Sequence, residues 1–225
     1  MRNLSYFKYF LFLSKHWNIR LAYFTIKHEI AGEKKYGIQT TGIDKLKRLS
    51  VVGDNKINAS IYQAANYYLL EKAFNFLLEE KATGTIVDFG SGKGRIMAVA
   101  ASYGFTKIKG IEFAAALNVV AKKNIDGIQS KYPEANFTIL TENAVKYEVD
   151  KEDSIFFFFN PFDEKIVLEV VKNIMKSLRL YPRKIFVVYL NPMHKEIFES
   201  AGFFEEYYVT ELEYLELSVL TYLPD

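Results

Sequence analysis

The stretch Ile86-Val87-Asp88-Phe89-Gly90-Ser91-Gly92-Lys93-Gly94-Arg95 decides how the chain is read. Its apolar first half predicts a strand over 85–89, and the small residues that follow predict a helix over 95–103. Between them stand three glycines at alternate positions. Glycine permits the tight backbone angles of such a turn and lets a ligand sit against the main chain. The helix that follows presents free N–H groups to that ligand. The spacing excludes a phosphate-binding loop, which needs Gly-Lys-Ser/Thr, because Lys93 is followed by Gly94. It also departs from G-x-G-x-x-G, since the pattern here is D-x-G-x-G-x-G. An acid at Asp88 suits a ligand with a positive end better than a pyrophosphate.

A second acid, Glu112, ends the next apolar run 18 residues after Gly94. A carboxylate there can accept both hydroxyls of a ribose. A ribose diol together with a cationic amino group describes S-adenosylmethionine. After the third predicted strand comes Glu142-Asn143-Ala144, where Asn143 can reach an adenine edge.

Around this segment the hydrophobic period alternates regularly. Helices are predicted over 61–80, 95–103, 114–130, 164–180 and 193–200. Strands are predicted over 85–89, 107–113, 136–140, 154–159, 184–190, 203–209 and 214–222. Continuous apolar strands between helices signal a parallel sheet covered on both faces. The run Phe156-Phe157-Phe158-Phe159 suits a central strand. The last two strands are separated by too few residues for a parallel crossover, so the final strand is expected to be antiparallel. The expected fold is therefore α/β: a seven-strand, mostly parallel sheet with an antiparallel last strand and helices on both faces. Residues 1–36 read as a helical extension and 37–57 as loop. The expected organisation is an N-terminal arm over 1–57 and a ligand-binding domain over 58–225.

On these residues the chain resembles the class I, seven-strand S-adenosylmethionine-dependent methyltransferases over roughly 58–225. Asp88, Gly90, Gly92 and Gly94 match the first motif, Glu112 the second, and Asn143 the third, where the family more often has Asp. The resemblance implies that Asp88 supports the methionine amino group, with Ser91 and the glycines forming the turn. It places Glu112 and Phe113 beside the ribose, and Asn143 and Ala144 beside the adenine. A narrower segment, Tyr62-Gln63-Ala64-Ala65-Asn66-Tyr67, is similar to small bacterial proteins related to seven-strand lysine methyltransferases. That likeness adds Tyr62 to the cofactor residues; relatives often carry Glu and Pro where this chain has Gln63 and Ala64.

Methyl transfer from a sulfonium is an in-line displacement that needs alignment and exclusion of water, and no metal. The carboxyl end of the fourth strand carries Asn160-Pro161-Phe162-Asp163. This resembles the N-P-P-[YF] motif of amino-group methyltransferases, with one proline in place of two. The resemblance implies that Asn160 and the Pro161 carbonyl hold the target amine and that Phe162 packs on it. The alternative is that Asn160 caps the next helix and Pro161 begins it. Asn191-Pro192 ends the next strand and belongs to the same rim. The expected function is methyl transfer from S-adenosylmethionine to a nitrogen of a protein side chain, lysine-like. Nucleic-acid methylation and a non-catalytic cofactor-binding module are the alternatives.

Composition sets the outer limits. The chain has 225 residues, half of them hydrophobic and a quarter charged, which excludes disordered and low-complexity classes. There is no cysteine, and the three histidines are scattered, so disulfide scaffolds, thiolate metal sites and cysteine nucleophiles are excluded. Net charge is +2, but seven of the 29 basic residues and only two of the 27 acids lie in residues 1–36. Such an arm is either a solvated helix face or a meeting place for an acidic partner, a nucleic acid or a membrane surface. No stretch approaches a membrane span, and no cleavage site follows the first apolar run. The expected location is the cytoplasm.

Overall fold

The computed structural model describes residues 2–42, 44–45, 61–159 and 162–224. Among them, two N-terminal helices, α1 (Arg2–His16) and α2 (Ile19–Tyr36), form a hairpin. The expected single helical zone is broken at Trp17 because Asn18 adopts an extended conformation and its side chain accepts the Leu21 N–H, restarting the helix. Two short strands, β1 (Asp44–Lys45) and β2 (Ile61–Tyr62), pair antiparallel.

The remaining elements are α3 (Tyr67–Glu79), β3 (Thr85–Phe89), α4 (Arg95–Ser102), β4 (Lys107–Glu112), α5 (Ala115–Ile128), β5 (Asn136–Thr141), β6 (Asp153–Phe159), α6 (Glu164–Leu180), β7 (Ile185–Leu190), α7 (Lys195–Ser200), β8 (Phe204–Glu211) and β9 (Leu215–Tyr222). The seven-strand sheet runs β5-β4-β3-β6-β7-β9-β8. Strands β3 to β7 pair in parallel, and β9 runs against both its neighbours. The last strand is the reversed one, as expected from the short link before it.

Period-2 alternation along β6 explains the phenylalanine run. Ile155 and Phe157 face an apolar layer built by α3, α4 and α5, while Phe156 and Phe158 face one built by α6 and α7. Phe157 stacks on Phe74 with ring centres 5.0 Å apart, and Phe158 meets Phe198 edge-on at 5.3 Å. Both faces are covered, so neither needs polar residues.

One expected boundary moves, and one helix cap is settled. The helix predicted over 61–80 starts only at Tyr67, because the Asn66 side chain accepts the Tyr68 N–H and caps it there. Ile61 and Tyr62 are in β2 instead. The helix after β6 starts at Glu164, capped by Asp163, whose carboxylate accepts the Ile166 N–H. The cap of this helix, which the alternative reading gave to Asn160, is Asp163. Successive strands leave β3 in opposite directions, toward β4 on one side and β6 on the other, which opens a crevice at their carboxyl ends.

The hairpin is bound through α2 to the helices α3 and α4 that cover the sheet. Gly32 lies against Tyr67 so closely that a Cβ there would sit 2.3 Å from the ring. Tyr36 stacks on Tyr67 at 5.5 Å and donates a hydrogen bond to Glu71.

Candidate functional site

The glycine turn sits at the crevice. Gly90, Gly92 and Gly94 have φ of 79°, 53° and 80°, left-handed values that favour glycine at each position. The turn is fastened to the end of β4: Gly90 and Ser91 donate backbone hydrogen bonds to the Ile111 carbonyl, and Gly92 N–H donates to Glu112 Oε2 at 3.1 Å. Glu112 also accepts from Ala114 N–H through Oε1 at 2.8 Å. These bonds leave the carboxylate with unused lone pairs.

Asp88 is fully buried at the end of β3, and neither carboxylate oxygen has a hydrogen-bond partner among the described residues. Burial, and after it the neighbouring Glu112 charge, holds its carboxyl well above the ordinary range. Glu112 is also raised by burial, against the lowering effect of its backbone donors. The buried Ser91 hydroxyl likewise lacks a partner among the described residues. Buried polar groups are nearly always satisfied, so a cluster of unsatisfied ones at a glycine cradle marks a place built for a polar ligand.

The other expected cofactor residues lie on several elements. Phe113 packs with Ala64, Ala114 and Leu117. Asn143 caps a short 3-10 turn over Ala144–Lys146 by accepting Val145 N–H, and Ala144 is buried beside it. Tyr62 falls in β2, and its side chain lies outside the described residues. Asn160 and Pro161 lie outside them too, so their predicted roles find no geometry here. Phe162 is half-buried against the layer formed by α6 and α7.

A cleft with roughly 540 Å³ of empty space runs between the hairpin and the sheet. Tyr9, Trp17, Gln63, Asn66, Phe159 and Asn191 are among its lining residues, none of which is charged. Gln63 donates to the Tyr9 hydroxyl at 2.9 Å. Asn191 does not cap α7. It stands in the left-handed region at φ 49° and is tied to Glu216 of β9 by backbone and side-chain hydrogen bonds.

Sequence reasoning missed the group that joins turn and cleft. Arg95, the first residue of α4, is buried with Glu29 of α2, its Nη1 at 2.6 Å from Oε1 and its Nη2 at 2.5 Å from Oε2. It also donates to Thr40 Oγ1 and to the Ala65 carbonyl, and its guanidinium lies 4.0 Å above the Tyr67 ring. Glu33, one turn further on, accepts from Tyr6 O–H and from the Thr40 and Thr41 N–H groups. The available signal was the pair itself: Glu29 and Glu33 are the only acids in the first 36 residues and are spaced four apart.

No protein-family model and no curated protein matches the sequence. Solved structures do share its fold. The methyltransferase domain of bacterial CtHen1-CN superposes with a TM-score of 0.54 at 14% identity, covering 71% of this chain and 100% of that one. Magnesium protoporphyrin IX methyltransferase from Synechocystis PCC 6803, solved with bound SAH, gives 0.52 at 10% identity, covering 68% of this chain and 80% of that one. The PH0226 protein of Pyrococcus horikoshii OT3 gives 0.51 at 17% identity, covering 70% and 92%. The chain shares its fold with these structures at 10–17% sequence identity.

Proposed function

We propose that the protein is an S-adenosylmethionine-dependent methyltransferase acting on a nitrogen of a protein side chain. The observation that carries the proposal is the buried, unpartnered Asp88 carboxylate beside a glycine turn at the sheet's crevice. An isolated buried carboxylate is costly unless a cation or donor meets it. The residues fit the cofactor: Asp88 for its amino group, the cradle of Gly90, Ser91, Gly92 and Gly94 for its backbone approach, and Glu112 with spare lone pairs for its ribose. Phe113, Asn143, Ala144 and Tyr62 complete the proposed set.

When bound, the cofactor supplies a methyl group on a sulfonium. The chain's own part is to orient the acceptor and exclude water. Asn160 follows Phe159, which lines the cleft, and precedes Phe162. In this reading the Asn160 amide oxygen and the Pro161 carbonyl accept from the acceptor amine, and Phe162 supports that segment from the core side. The cleft favours an amine on an aliphatic stem. Its aromatic walls suit a lysine-like chain, and the lack of carboxylates among the lining residues keeps the amine from being held as a charged ammonium. Residues 58–225 form the transfer unit in this proposal, and the arm over 1–57 covers its substrate side.

Calorimetry with S-adenosylmethionine and its demethylated product tests the first half. Wild type should bind both, and Asp88→Ala neither. Labelled methyl transfer to protein, nucleic-acid and small-molecule fractions of a lysate tests the second, with label expected in protein. Unchanged binding by Asp88→Ala overturns the cofactor assignment, and label confined to nucleic acid overturns the acceptor.

A further inference from the structure

The outer surface of the N-terminal hairpin is both apolar and basic. On α1, positions 4, 7, 8, 11 and 15 recur at helical spacing and form one stripe opposite the buried Tyr6, Tyr9 and Leu13. On α2 the outward residues are Ile19, Arg20, Tyr23, Lys27, Ile30 and Lys34. Leu4, Phe7, Leu11, Ile19, Tyr23 and Ile30 leave 44–70% of their surface in solvent. Large apolar residues grouped on this scale mark an interaction surface.

The charges on the same surface are of one sign. The first 28 residues contain no acid. The two acids that follow, Glu29 and Glu33, are turned inward and consumed by Arg95, Tyr6 and the Thr40–Thr41 backbone. Lys8, Lys15, Arg20, Lys27 and Lys34 are exposed and form no ion pair among the described residues.

We propose that this hairpin docks the protein on an anionic lipid bilayer, lying in the interface with its outer apolar side chains among the headgroups and its lysines on the phosphates. No helix among the described residues is long and apolar enough to cross a membrane, so the attachment is peripheral. A nucleic acid would meet the lysines but leave Leu4, Leu11, Ile19 and Ile30 unrewarded, since such interfaces are polar and highly charged. A second copy of the chain would set lysines against lysines across a twofold axis, with no acid on the face to neutralise them. A bilayer satisfies both features at once: burial of apolar side chains and attraction of bases to anionic lipid. The inference stands independently of the methyl-transfer reading.

The test is sedimentation of the full chain with lipid vesicles. One set is phosphatidylcholine alone, the other roughly 70:30 phosphatidylcholine to phosphatidylglycerol. The protein should partition onto the anionic vesicles at low salt. Binding should be at least tenfold weaker on the neutral set, and similarly weaker at roughly 0.5 M salt, where exposed charges are screened. The double variants Phe7→Ser with Leu11→Ser, and Lys8→Glu with Lys15→Glu, should each lower partitioning at least tenfold while melting as wild type does. Absence of vesicle binding, or partitioning at the wild-type level by either variant, overturns the proposal. So does an RNA oligonucleotide that binds in place of vesicles and is lost in the lysine variant, or a dimer that the Phe7/Leu11 variant dissolves.

Discussion

Arg95 and Glu29 meet end-on, through both terminal guanidinium nitrogens, in a bidentate ion pair from which solvent is excluded. One partner begins the helix that leaves the glycine turn; the other comes from a helix 66 residues earlier. The pair fixes where the N-terminal hairpin lies relative to the proposed cofactor turn. Through the Ala65 carbonyl it also fixes the segment that lines the cleft. A bidentate guanidinium–carboxylate contact carries directional information that a lysine could not supply.

Breaking that pair from one side should be severe. Glu29→Ala removes the carboxylate that pairs with the buried Arg95 charge, and roughly 3–5 kcal/mol of stability should be lost. Replacing both, Glu29→Leu with Arg95→Met, should recover much of that loss, because no charge is then stranded. Urea unfolding of the two variants and wild type measures both effects. Equal losses in the single and double variants would show that packing, not charge, sets the cost.

Asp88 should destabilise the unliganded protein at neutral pH. Its carboxyl is raised in the folded state, so between its unfolded value of about 4 and its folded value the native state holds the extra proton. Its contribution to stability is complete below about pH 4 and is lost as pH rises through the folded value. Asp88→Asn, which cannot ionise, should therefore gain stability over wild type as pH rises from 5 to 8, while losing cofactor binding. Denaturation midpoints at the two pH values decide it: a gap that closes with rising pH contradicts the argument. Cofactor affinity of wild type should rise over the same range, because the ionised carboxylate is the form that pairs with a cation.

Glu112→Ala should weaken the cofactor by about 1–3 kcal/mol, the cost of leaving buried polar groups unmatched. It also releases Gly92 N–H and Ala114 N–H, so part of the loss should appear as lower stability of the free protein. Glu112→Asp should lose less binding. Calorimetric affinities alongside melting curves separate the two contributions, and wild-type affinity in the alanine variant would remove Glu112 from the site.

The cap of α6 is Asp163, whose carboxylate accepts the Ile166 N–H. Asn160→Ala should cut turnover tenfold or more, a barrier increase of roughly 1.4 kcal/mol, with the melting temperature and cofactor affinity held. Asn160→Ser should fail as well, since its hydroxyl is too short to replace the amide oxygen. Full turnover in the serine variant would dismiss the amide as the group that aligns the acceptor.

The local signals in the sequence were strong where one element alone settles the matter. The strand over 85–89, the helix over 164–180 and the reversed last strand could be read from apolar period, breakers and link length, because each depends on neighbours within a few residues. The acid-and-glycine pattern located the turn for the same reason: positive φ at alternate positions is a property of the residues themselves. Tertiary structure decided the rest. A helix was expected from residue 61, but Asn66 caps it at Tyr67 and Arg95, reaching across from another element, takes the Ala65 carbonyl. Glu29 and Glu33 read as minor acids in a basic arm, yet the fold turns both inward and leaves only basic charges beside the apolar residues of the hairpin's outer face. Nor does any pattern show that Asp88 lacks a partner. Desolvation and pairing depend on which distant side chains arrive at a point, and that is determined only when the sheet closes and the hairpin docks.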